Sequence, residues 1–213
     1  MELIHGRRQR MLDGPSFAVR ASSAGRVMID LGTGDGRFVL HAARRDPACL
    51  VIGVDACREN LYVSSRTAPV NALFVIANAL TLPSELSGSA TQITINFPWG
   101  SLLTGLLAAD GGLLHGLRMI ARPRAALELR LNRSALTEAG VTPAEAGVLI
   151  RRALREAGFS VEPTVELDAA ALRALPSAWA KRLAYGREPH ALYLQAAAPG
   201  AVQHEPRWSG EAG

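Results

Sequence analysis

No other seven residues constrain this chain as much as Asp30-Leu31-Gly32-Thr33-Gly34-Asp35-Gly36. The run follows an apolar, β-branched stretch, 26–31, and precedes an amphipathic one, 37–45, that Asp46-Pro47 stops. Three alternate glycines between a strand and a helix let the backbone approach a ligand closely and aim the helix N-terminus at it. A turn of this kind belongs to a βαβ unit. The rest of the chain agrees: the apolar runs 50–54, 72–77, 92–97, 125–131, 159–165 and 190–196 read as strands covered on both faces. Helical patterns fall at 57–67, at 101–120 with a break at Asp110-Gly111-Gly112, and at 144–157, ended by Gly158. The expected fold is α/β, a seven-stranded, mostly parallel sheet in a single domain over 1–198. Residues 168–188 form an insertion between the last two strands, and 199–213 a flexible tail.

With 213 residues, 48% of them hydrophobic, the chain has enough apolar mass for one sizeable core. Cys49 and Cys57 lie in or beside core elements without metal-like spacing, so buried thiols in a reducing cytoplasm are expected and no metal site is assigned. No apolar run approaches the ~20 residues that span a bilayer, and the start lacks a signal-peptide core, which predicts a cytoplasmic protein. The net charge is +4, and Lys181 is the single lysine. Arginine therefore carries the positive charge, and its planar fork is compatible with a phosphate-rich partner.

A dinucleotide-binding turn reads G-x-G-x-x-G, and its helix dipole neutralises a pyrophosphate. Here the turn carries its own carboxylates, which suit a cation. Asp at the strand end, alternate glycines, and then Gly53-Val54-Asp55 closing the second strand together specify a class I, Rossmann-like methyltransferase that uses S-adenosylmethionine. In that reading Gly32, Thr33, Gly34 and Gly36 cradle the donor, and Asp30 and Asp35 face its cationic amino-acid part. Asp55 accepts from the ribose hydroxyls, and Asn78 and Ala79 stand where adenine is contacted.

The fourth strand ends Asn96-Phe97-Pro98-Trp99-Gly100, at the corner facing the donor. An aromatic there can stack on a planar acceptor. The run lies close to the Asn/Asp-Pro-Pro-aromatic motif of enzymes that methylate exocyclic amines. A buried tryptophan on a proline turn is the plainer alternative.

Taken with Ser177-Ala178-Trp179-Ala180-Lys181-Arg182-Leu183-Ala184-Tyr185-Gly186-Arg187, the run Phe97-Pro98-Trp99-Gly100-Ser101-Leu102-Leu103 resembles the 16S ribosomal RNA adenine-1408 N1-methyltransferases of the kanamycin-apramycin aminoglycoside-resistance group. The likeness covers the Asp30 loop through the last strand, and Gly6-Arg7-Arg8-Gln9-Arg10 looks like the N-terminal hairpin of that family, which implies a hairpin extension over about 1–20. The resemblance implies that Trp99 and Trp179 sandwich a flipped adenine, that Ser177 positions the second tryptophan's loop or the base, and that Ser101 lies near donor and acceptor. It implies RNA contacts for Arg182 and Arg187, and Arg7, Arg8 and Arg10 extend the phosphate-binding face. The implied partner is the 30S subunit, at the decoding-site helix of 16S rRNA, met by a monomer. One departure is Glu188-Pro189, where some relatives continue with basic residues. Methylation at adenine N6 or of transfer RNA, a small-molecule methyltransferase, and a non-catalytic binding module remain open alternatives at this point.

Overall fold

Strands that are apolar on both faces belong in the middle of a sheet, and the computed structural model of the chain puts them there. The structure describes residues 1–175, 178–186 and 189–200. Strand β3 (Arg26–Leu31) is central, flanked on one side by β4 (Cys49–Asp55) and β5 (Ala72–Ile76) and on the other by β6 (Ala90–Asn96) and β7 (Ala121–Asn132), all parallel. The chain therefore turns away from β3 in both directions, and the C-terminal ends of β3 and β6 open a crevice between them. Strand β10 (Ala191–Ala197) runs antiparallel to β7.

Helices α2 (Arg37–Arg45) and α3 (Arg58–Arg66) bury Val39, Leu40, Ala43 and Leu61 against Val51 and Phe74 on one face of β3 to β5. The other face holds the main core, where Ile29, Ile52, Ile93 and Leu127 meet α1 (Gly14–Ala24), α4 (Gly100–Leu107), α5 (Gly111–Ile120), and, after α6 (Arg133–Glu138), α7 (Pro143–Glu156). The break between α4 and α5 falls where Asp110 caps α5 by accepting from the Leu113 N–H at 2.8 Å.

Three features differ from the sequence reading. The N-terminal hairpin, β1 (Glu2–His5) with β2 (Arg8–Met11), joins the sheet because β1 pairs antiparallel with β5 at Leu3 and Val75. The expected sixth strand is two short pieces, β8 (Ser160–Val161) and β9 (Val165–Leu167), either side of Pro163, which has no N–H for a ladder. The described sheet thus has ten strands rather than seven. Cys57, expected to be buried, is exposed at the start of α3, whereas Cys49 is buried.

The 168–188 insertion contains α8 (Ala169–Ala174) and α9 (Ala178–Ala184). Leu172, Ala180 and Ala184 close on Phe97 and Ala191 in a small satellite core, which fastens these helices to the end of β6. Ser177, Arg187, Glu188 and residues 201–213, the bulk of the expected tail, lie outside the described residues, as does the Trp179 side chain. No helix among the described residues is long and apolar enough to cross a membrane.

The glycine turn carries a testable asymmetry. Gly36 has φ +71°, and a Cβ there would lie 2.5 Å from the Phe74 ring, whereas Gly34, at φ +55°, faces open space. Gly36→Ala is expected to lower stability by about 3 kcal/mol through a left-handed backbone plus a clash, and Gly34→Ala by about 1. Denaturant midpoints of the two variants check this. Equal midpoints would mean that the turn relaxes around Gly36.

Candidate active site

The crevice above β3 and β6 is a cavity of about 340 Å³. Asp30, Gly32, Thr33, Gly34, Asp35, Asp55, Asn78, Ala79, Trp99 and Ser101, predicted from different parts of the sequence, all line it. Among the described residues its walls hold three carboxylates and no basic side chain. An anionic ligand such as a pyrophosphate would meet like charge there, and a cationic one is favoured.

The loop geometry follows from the strand ends. Gly32 and Thr33 donate their N–H groups to the Val54 carbonyl at 2.8 and 3.0 Å, tying the turn to β4. Asp55 draws the turn in from the other side. Its Oδ2 accepts from the Gly34 N–H at 2.8 Å, and its Oδ1 accepts from the Cys57 N–H at 2.9 Å and the Asn60 amide at 3.4 Å. Three charge-assisted bonds fix the carboxylate at the rim, while Oδ2 keeps a lone pair for a ligand hydroxyl. Asp35 is half exposed and pairs with Arg37 at 3.3 Å. Asn78 accepts the Leu80 N–H at 2.9 Å, so its side chain shapes the turn beneath the pocket wall.

Asp30 is the buried acid of the site. Its Oδ1 accepts from the Thr94 hydroxyl at 2.7 Å and from the Asn96 amide at 2.9 Å. Burial pushes its carboxyl up to about 6, and hydrogen bonds from Thr94, Thr33 and Asn96 and the positive charge of Arg130 pull it back only part of the way. A carboxyl whose folded value exceeds its unfolded value binds its proton more readily in the folded chain. Folded stability therefore falls as pH rises from 3.8 through about 6. Asp30→Asn keeps the shape and the two accepted bonds and removes the charge. The variant without ligand is expected to be more stable by about 3 kcal/mol above pH 7, with the gain vanishing towards pH 4. Denaturant titrations at both pH values check this, and a gain that ignored pH would show that the Asp30 charge is not the cause.

The acceptor corner is built by strain. Phe97 adopts φ 55°, left-handed for a bulky side chain, while its N–H donates to the Arg130 carbonyl at 2.7 Å. Phe97 itself is buried in the satellite core, so the chain leaves β6 sharply and Pro98 carries Trp99 to the cavity mouth. Trp99 remains 39% exposed and is not part of the hydrophobic interior. Ser101 and Leu102 follow in the first turn of α4.

Phe38, Asn60, Ala77 and Leu102 also line the cavity and were missed from sequence. Phe38 and Leu102 sit in the first turn of helices that begin at recognised motifs, so a helical projection from each motif would have found them.

The basic candidates are spread out. Arg182 is exposed on α9, on the acceptor side. Because β1 runs antiparallel to β5, the hairpin tip lies at the end of the strands away from the cavity. There the Gly6 N–H donates to the Ser65 hydroxyl at 2.9 Å, and Arg7 stands 5.8 Å from the Tyr62 ring centroid. Arg10 pairs with Leu3 and so is level with Val75, nearer the cavity.

S-adenosylmethionine fits the residues present. Its sulfonium and ammonium match three carboxylates, and the glycine turn offers a close backbone.

Comparison with known proteins agrees. The family described as NpmA, 16S rRNA (adenine(1408)-N(1))-methyltransferase, matches residues 2–198. An Escherichia coli protein of that name is 34% identical over 181 residues, 76% of this chain and 83% of the relative. Among solved structures, the 16S rRNA methyltransferase KamB superposes with a TM-score of 0.84 at 28% identity, covering 93% of this chain and all of that one. A tryptophan-to-alanine mutant of a Catenulisporales acidiphilia 16S rRNA (adenine(1408)-N(1))-methyltransferase, crystallised with cosubstrate SAM, superposes at 0.82 with 27% identity, covering 97% of this chain and 98% of that one.

Proposed function

This chain belongs to the 16S rRNA (adenine(1408)-N(1))-methyltransferase family, and from that premise we propose how its residues perform the reaction. It methylates N1 of adenine 1408 in 16S rRNA with S-adenosylmethionine as donor, the modification of the aminoglycoside-resistance enzymes it is similar to. The observation that carries the residue assignment is the junction of an acidic cavity with a half-exposed indole, Trp99, at its mouth.

When bound, S-adenosylmethionine supplies a methyl group on a positively charged sulfur. N1 of neutral adenine already presents a lone pair, so no side chain has to remove a proton, and the protein's work is orientation and exclusion of water. Asp30 and Asp35 face the donor's cationic end, Gly32, Thr33 and Gly34 cradle it, Gly36, which does not line the cavity, closes the turn against Phe74, Asp55 accepts from the ribose, and Asn78 and Ala79 border the adenine. Ser101, two residues after Trp99, lies between donor and acceptor.

On the acceptor side Trp99 stacks on the extruded base, and Trp179, carried by α9, covers its other face with Ser177 positioning that loop. Extrusion costs a few kcal/mol, and aromatic stacking restores about 1–3 kcal/mol per face. The same faces favour the cationic 1-methyladenine product. Transfer to the exocyclic amine fits less well. Asn96, which that chemistry would use, has its oxygen engaged by Arg130 and its amide by Asp30.

The substrate partner is the small ribosomal subunit. The finer reading is that a monomer docks in the cytoplasm on the decoding-site helix, with Arg182 and Arg187 holding the RNA backbone and Arg7, Arg8 and Arg10 extending the basic surface. Incubation of isolated 30S subunits and of bulk transfer RNA with methyl-labelled donor tests the partner. Label in 16S rRNA alone is expected, and comparable label in transfer RNA would overturn it.

A further inference from the structure

Strands covered by helices are apolar on both faces, yet the C-terminal halves of β6 and β7 carry a continuous polar row on one of theirs. Register puts Thr94 beside Asp30, Glu128 beside Thr94, Arg130 beside Asn96 and Tyr193 beside Arg130. Alternation then brings all six side chains to the same face. They are joined in order. Arg130 donates from one terminal nitrogen to the Asn96 oxygen at 2.9 Å and from the other to Glu128 at 2.6 Å, and its guanidinium lies 5.1 Å from the Tyr193 ring centroid. Gln92 donates to the second Glu128 oxygen at 2.9 Å.

This arrangement leaves Asn96 one orientation. Arg130 can only donate and Asp30, when ionised, can only accept, so the carboxamide must present its oxygen to the first and its nitrogen to the second. Both bonds that Asp30 accepts from Thr94 and Asn96 end on Oδ1, which fixes the carboxylate plane and keeps Oδ2 outside this polar row, on a carboxylate that the Thr33 hydroxyl of the donor turn also approaches. Arg130 does not line the donor cavity, and its side chain is only 12% exposed.

We propose that Arg130 is a positioning residue of the donor site: it locks the Asn96 carboxamide, and through it aims the Asp30 carboxylate at the ammonium of S-adenosylmethionine. The inference rests on the assignment of Asp30 to that ammonium, so the test must separate the two. Two probes do this: S-adenosylmethionine, and 5′-methylthioadenosine, which keeps the adenine and ribose but lacks the amino-acid part. Calorimetry with both is run on Arg130→Met, Asn96→Leu, Asp30→Asn and the Arg130→Met/Asp30→Asn double variant.

Arg130→Met and Asn96→Leu should each weaken S-adenosylmethionine about tenfold and leave 5′-methylthioadenosine unchanged. The double variant should bind no more weakly than Asp30→Asn alone. If the variants fold yet weaken both ligands equally, the effect is a general distortion of the cavity, and that outcome overturns the proposal. If Asp30→Asn weakens the donor and neither Arg130→Met nor Asn96→Leu does, the relay is wrong and the Asp30 assignment stands. If Asp30→Asn itself leaves the donor unaffected, the assignment fails first and the relay with it. Should Arg130→Met not fold, Asn96→Leu, which breaks the relay at its middle, decides the matter.

Discussion

Trp99→Ala should leave S-adenosylmethionine bound and the small-subunit RNA almost unmethylated. The indole stands at the cavity mouth, 39% exposed, where its loss removes one stacking face worth about 1–3 kcal/mol, or roughly 5- to 150-fold in productive binding of the base. The donor side of the cavity is built by β3, β4 and their turns, which the substitution does not touch, so calorimetric affinity for the donor should change by less than about threefold. Trp99→Phe, which keeps a smaller ring, should fall between. Methyl incorporation at the wild-type rate in Trp99→Ala would mean that the acceptor is held elsewhere.

Asp55→Ala should have the opposite signature, with the donor lost first. Its carboxylate joins the glycine turn to the start of α3, through Gly34 on one oxygen and Cys57 and Asn60 on the other, before it contacts any ligand. Removing it frees the Gly34 N–H and deletes the proposed ribose acceptor together. With each charge-assisted bond contributing about 1.5–3 kcal/mol, a loss of donor affinity on the order of 100-fold is expected. Asp55→Asn should recover little, because an amide nitrogen would face one of the backbone N–H groups. Calorimetry with S-adenosylmethionine measures this, and an affinity within a few-fold of wild type would remove Asp55 from the site.

The donor half of the site was readable because its signals are local. Alternate glycines after a strand and Gly53-Val54-Asp55 closing the next one specify their own backbone geometry, and the two strand ends then have to meet. The acceptor corner was readable in kind, though the left-handed Phe97 and its burial under α8 and α9 were not, since they depend on a helix pair more than 70 residues further on. Arg130 was invisible for a related reason. It matters only through lateral register between β6, β7 and β10, and nothing in a single sequence states which residues face each other across strands. Helix α1 was passed over although its start carried a signal: Asp13 accepts the Ser16 N–H at 2.7 Å and Pro15 occupies the first turn. Cys57 misled because cysteine is usually buried, and here it is exposed at the start of α3.

The central claim is that a base held at Trp99 receives the methyl on its N1, the atom that pairs. Primer extension across 16S rRNA from sensitive cells expressing the chain, grown on kanamycin or apramycin, tests it most directly. The account predicts growth on the drug and a strong stop at adenine 1408 that Trp99→Ala abolishes. Read-through at that adenine in resistant cells, with the methyl group found on N6 after digestion, would contradict it.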